Sequence, residues 1–171
     1  MKNTFFTLLL LATAFSFNVL AQDKDDKSKR PSPPATAEGV INGKKIKIDY
    51  SSPSVKGRKI FGGLVPYGEV WRTGANETTT IEFDKAVKVE GKELAAGKYA
   101  LFTIPGENEW TIIFNKTVKW GAYSYKKEDD VLRVTVKPTK TAAPVEAFNI
   151  SVGKNDVVIK WENTSAAFKV Q

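Results

Sequence analysis

From Gly39 to the C-terminus, apolar and polar residues alternate in short runs broken by turn residues. Ile46, Ile48 and Tyr50 alternate with Lys45, Lys47 and Asp49, so one face of that segment meets a core and the other meets water. Asn42-Gly43 stands just before it, and Asn-Gly between apolar runs is the strongest short-range hairpin signal. The same period sets Thr79, Ile81 and Phe83 on one face, then Val87 and Val89, with a turn at Glu90-Gly91. "AGKYALFTIPG" is apolar on both faces, as a central strand is, and stops at Pro105-Gly106. Further in-facing sets are Trp110, Ile112 and Phe114; Leu132, Val134 and Val136; Phe148, Ile150 and Val152; Val157, Ile159 and Trp161; and finally Phe168 with Val170. Roughly nine or ten short strands at such spacing predict a single antiparallel β-sandwich, with a β-barrel as the alternative. No helix of ordinary length is predicted; "AYSYKKEDDVL" offers a turn or two before a strand.

Two regions depart from this rhythm. "SSPSVKGRKIFGGLVPYG", residues 51–68, has four glycines, two prolines and three basic residues, and no alternation. A long connection of that kind either carries function or packs Ile60, Phe61, Leu64, Val65 and Tyr67 onto the end of the sandwich. At the N-terminus, Lys2 precedes an apolar run from Phe5 to Leu20 that closes on Val19-Leu20-Ala21. This is the pattern of a secretory signal peptide, residues 1–21, cut after Ala21. The run is too interrupted by Thr7, Thr13, Ser16 and Asn18 for a membrane span. Residues 22–36 are charged and then proline-rich, a flexible tail, leaving 37–171 as one domain. The expected product is exported, soluble, and periplasmic or extracellular. Without a cysteine after the signal it is not a lipoprotein.

Composition narrows the chemistry. The 171 residues contain no Cys and no His. That excludes disulfides, thiolate metal sites, the usual zinc and copper ligands, and Ser-His or Cys-His nucleophile pairs. No metal and no cofactor is expected, and no catalytic residue is assigned. Lys and Arg number 26 against 19 Asp and Glu, a net charge of +7. Because the cations are interspersed with acids, as in "YKKEDD", they read as solvated strand faces rather than a nucleic-acid footprint. An acidic polymer remains a possible partner.

The densest polar cluster is "WRTGANE", residues 71–77. Trp71 supplies an apolar wall with one donor, Arg72 a cation, Gly74 a positive φ, Asn76 a donor and acceptor, and Glu77 a carboxylate to pair with Arg72. One reading is a ligand site built from Trp71, Arg72, Asn76 and Glu77 with Lys56 and Arg58 of the preceding loop, taking an envelope carbohydrate or an acidic ligand. A sugar ring would stack on Trp71 or Trp120. A second reading is a buried Arg72–Glu77 latch in a purely structural domain. A third is a carboxylate-dependent hydrolase with Glu77 as acid or base. "SYKK" at 124–127 has Ser-x-x-Lys spacing without partner motifs, and "EDD" at 128–130 lacks alternating calcium ligands, so it reads as a solvated turn.

The strings "P-x-x-KGR-x-IFG", "LVPYG-x-VWRTGANE" and "AG-x-Y-x-LF-x-IPG" resemble the secreted bacterial family catalogued as domain of unknown function 2911. The resemblance covers nearly all of the chain after the signal. It implies a leader followed by this one domain, and carries over no catalytic residue. Its most characteristic motif falls on Trp71 to Glu77.

Overall fold

A computed structural model describes residues 26–171; the expected signal peptide lies outside the described residues. Ten strands are present: β1 (Pro34–Ile41), β2 (Lys44–Ser51), β3 (Thr80–Phe83), β4 (Val87–Val89), β5 (Lys92–Leu94), β6 (Gly97–Ile104), β7 (Trp110–Asn115), β8 (Asp130–Val136), β9 (Thr139–Val152) and β10 (Asp156–Lys169). Six of them form an antiparallel sheet in the order β1-β2-β3-β6-β7-β8. The β9–β10 and β4–β5 hairpins form the facing layer. They meet at a Val89–Val170 bridge, where Lys88 and Gln171 exchange backbone hydrogen bonds of 2.7 and 2.9 Å. This is a β-sandwich, not a closed barrel.

Local chemistry explains the turns. Asn42 and Gly43 have φ of 51° and 74°, the positive pair a tight hairpin needs, and Ile41 faces Lys44 across it. Alternation then decides what is buried. Ile41, Ile46, Ile48, Ile81, Phe83, Leu101, Ile112, Phe114, Ile159 and Phe168 all point between the layers. β6 is covered on its other face as well: Ala100 and Phe102 pack with Ile113 beneath Val70, Ile104 and Tyr125.

Three sequence expectations need correction. The two C-terminal runs expected as separate strands are one 14-residue β10, whose pairing with β9 slips on either side of Glu162. β9 takes up the extra residues around Pro144, which has no N–H to give a ladder. β1 begins at Pro34, inside the stretch expected to be tail. In the long connection, Ile60, Phe61 and Val65 are buried, but Leu64 and Tyr67 remain exposed. The connection is held by bridges Ser54–Ala147, Phe61–Val65 and Trp71–Thr103 rather than by strands of its own. "AYSYKKEDDVL" forms two 3-10 turns, Ala122–Ser124 and Lys127–Asp129, before β8.

Candidate functional site

The WRTGANE segment is a loop pushed out of one edge of β6. Trp71 exchanges backbone hydrogen bonds with Thr103 at 2.8 and 2.9 Å, and Leu101 donates to Thr79 O at 2.8 Å. Between those anchors the chain leaves the ladder, and Thr79 N closes the neck on Arg72 O at 3.4 Å. The neck is packed with hydroxyls: Thr79 Oγ1 donates to Thr73 O at 2.6 Å, and Thr73 Oγ1 lies 3.2 Å from Thr103 Oγ1. Thr73, Gly74 and Asn76 have φ of 55°, 152° and 53°. A β-branched residue at positive φ is strained, and the buried hydroxyl bonds hold Thr73 there. At Gly74 a Cβ would stand 2.9 Å from Ser51 O, so only glycine lets the loop lie this close to β2.

This fold of the loop separates the residues that sequence reasoning had grouped. Trp71 is buried, and its Nε1 donates to Gly74 O at 3.1 Å. Its ring stacks on Trp161 of β10, with centroids 5.8 Å apart and planes within 15°. Phe61, Phe148 and Trp161 also pack edge-on within this aromatic group. Beside it opens a cavity of about 410 Å³, lined by Trp71, Trp161, Arg72, Arg58, Glu69 and Ser32, with Leu64 to Pro66 as one wall. Its volume lies in the range of small-molecule pockets.

Two residues lining this cavity each carry an unsatisfied donor. Arg72 Nε and Trp161 Nε1 are buried and have no acceptor among the described residues. A buried donor left without a partner costs about 1–3 kcal/mol. Arg58 keeps its charge near the cavity, while its Nε and Nη2 donate to Val55 O at 3.0 Å and Ser54 O at 2.5 Å. Lys56 is not at the cavity. It sits exposed at the tip of a turn with Gly57, and its backbone N donates to Glu146 Oε1 at 2.9 Å.

The expected Arg72–Glu77 pair does not form. The positive-φ turn at Asn76 sends Glu77 toward the N-terminal segment, where Oε1 meets Lys27 Nζ at 2.9 Å and Arg30 Nη1 at 3.1 Å. The Lys27 hydrogen bond, with help from the Glu77 backbone N–H and from Arg30, lowers the carboxyl pKa to about 2. Asn76 Nδ2 donates to Ser32 O at 2.9 Å, so the same segment is held twice. Thr78 Oγ1, next in sequence, reaches Lys119 O at 2.7 Å.

The "EDD" run is also more than a solvated turn. Asp130 accepts from Arg133 Nε at 2.6 Å, Tyr125 OH at 2.8 Å and Asn115 Nδ2 at 2.8 Å, and Asp129 accepts from Thr117 Oγ1 at 2.6 Å. Ser124 Oγ donates to Gly121 O at 2.8 Å. Among the described residues no cluster of three metal-ligating side chains occurs, and no helix is long and apolar enough to cross a membrane.

Trp161 and Ser32 were not anticipated at the site. Alternation placed the Trp161 ring in the core, which is where it lies, but carries no information about an acceptor for its N–H. Comparison with known proteins gives no match among curated proteins or solved structures. The family described as protein of unknown function (DUF2911) matches residues 32–170, and the chain belongs to that family.

Proposed function

We propose that this chain is a binding module and that the cavity beside Trp71 and Trp161 holds a small anionic, hydroxyl-bearing ligand. An acidic sugar of the cell envelope fits that chemistry. One observation carries the reading: two buried N–H donors without acceptors belong to residues lining one cavity. A carboxylate would answer Arg72, whose planar fork suits bidentate contact. A ring hydroxyl would answer Trp161 once the lining shifts to open its buried N–H to the ligand. Arg58 adds positive charge at the rim, and Leu64 to Pro66 give an apolar side for a sugar ring. Ligand binding would then relieve the desolvation cost of both donors.

The hydrolase alternative gains nothing from Glu77. A carboxyl that ionises at about 2 and is engaged by two cations has no proton to give near neutrality and little basicity to take one. Trp71, Thr73 and Gly74 are structural members of the motif, and Arg72 is the one assigned to ligand.

Calorimetric titration of the chain from Gln22 onward with glucuronate and galacturonate, against glucose, tests this. Saturable binding of the acids, weakened at least about tenfold in Arg72→Ala, is the expected result. Absence of saturable binding, or equal binding by Arg72→Ala, would overturn the assignment.

A further inference from the structure

Far along the chain from the cavity residues, the connection between β7 and β8 presents a second surface. Three large apolar side chains stand out from it: Val118 is 45% exposed, Trp120 69% and Tyr123 99%. The loop is not simply short of places to pack. Tyr125, two residues on, lies against Phe102 with ring centroids 5.1 Å apart. Thr78 Oγ1 holds Lys119 O at 2.7 Å, and Asn115 Nδ2 holds Lys126 O at 2.9 Å. Trp120 and Tyr123 are therefore displayed from a fixed base, which lowers the ordering cost of any contact they make.

The loop itself carries charge of one sign. Residues 116–127 contain four lysines and no acid. Lys116 pairs with Asp129 at 3.3 Å. Lys119, Lys126 and Lys127 have no ion pair among the described residues, although Lys126 is close enough to Asp129 to help lower its pKa. The neighbouring acids are mostly occupied: Asp129 by Lys116 and Thr117, Asp130 by Arg133, Tyr125 and Asn115. Glu128 is exposed and has no ion pair among the described residues.

Exposed Trp and Tyr beside unneutralised lysines match the interface of an anionic bilayer, where the rings settle among headgroups and the ammonium groups face phosphates. A polysaccharide fits less well. Tyr123 has no ring face supported by the protein, and Val118 has neither a stacking surface nor a hydrogen bond to offer. We infer that the Val118–Lys127 loop docks this domain on an anionic lipid surface, Trp120 and Tyr123 entering the headgroup layer and Lys119, Lys126 and Lys127 contacting lipid phosphates. This contact is peripheral and uses none of the residues that line the cavity.

The chain has four tryptophans, and Trp71, Trp110 and Trp161 are buried, so a change in emission on lipid binding reports Trp120. The test is flotation and tryptophan emission of the chain from Gln22 onward, which contains every described residue, with vesicles of phosphatidylglycerol in phosphatidylcholine and of phosphatidylcholine alone. Flotation and a blue shift confined to the anionic vesicles, and weakened by salt, are expected. Trp120→Ala/Tyr123→Ala and Lys119→Glu/Lys126→Glu/Lys127→Glu should each weaken flotation at least about tenfold while keeping the wild-type urea midpoint. Absence of flotation, equal flotation on both vesicle types, or undiminished flotation of the aromatic variant would overturn the inference. Binding to alginate in place of vesicles would overturn it too.

Discussion

Thr73 and Asn76 both sit at positive φ, three residues apart in one loop, yet their surroundings differ completely. Thr73 is sealed under Thr79 and Thr103, in the half of the loop that contains Trp71 and Gly74. Asn76 belongs to the half that reaches outward with Glu77 to a neighbouring segment. The buried half sets backbone geometry through packing and satisfied hydroxyls. The outer half holds the N-terminal segment through contacts that water and salt can replace. The Arg72 side chain belongs to neither arrangement, since its buried Nε has no acceptor among the described residues.

The two halves should therefore respond very differently to substitution. Trp71→Ala removes the partner stacked on Trp161 and should cost about 3–5 kcal/mol in urea unfolding. Gly74→Ala should cost about 1–3 kcal/mol, because the new Cβ meets Ser51 O and the φ of 152° resists a side chain. Arg72→Leu should leave stability unchanged or raise it by about 1 kcal/mol, since it removes a buried unpaired donor. A loss of about 3 kcal/mol there would make Arg72 a structural member after all.

Glu77→Gln should have the smallest effect, within about 1 kcal/mol at neutral pH and less in high salt, as for other half-exposed ion pairs. Its signature is pH dependence. The folded carboxyl ionises at about 2 against an ordinary 4.5, so the unfolded chain binds more protons between those values. The Glu77 contribution is complete above about pH 4.5 and is lost as pH falls toward 2. Acid unfolding followed for wild type and Glu77→Gln should show their curves converging across that window. Curves that stay parallel would mean that the Lys27 and Arg30 contacts do not persist in solution.

The sandwich was legible because period-two patterning fixes which face of each strand is buried. Ile46, Ile48 and Tyr50 are buried as expected, and Asn42-Gly43 and Glu90-Gly91 make the expected turns. Where patterning is silent, sequence reasoning stopped. Nothing local distinguishes an irregular stretch in β9 around Pro144 from a break between strands. Arg72 and Glu77 are close in sequence, and proximity argued for a pair. Three positive-φ residues between Trp71 and Glu77 turn them apart; Gly74 and, more weakly, Asn76 announce themselves by type, but Thr73 does not. Trp161 was legible as a core residue but not as a cavity wall, because a missing acceptor is a property of the surroundings and not of the residue.

The most direct test of the cavity assignment is the indole ¹⁵N–¹H spectrum during titration with glucuronate. Four indole signals are expected from the four tryptophans. A saturable downfield shift of the Trp161 Nε1–H, abolished in Arg72→Ala, is predicted, since a bound oxygen would supply the acceptor this proton lacks. A Trp161 signal unmoved by both glucuronate and galacturonate at saturating concentration would contradict the account and return the whole WRTGANE loop to a structural role.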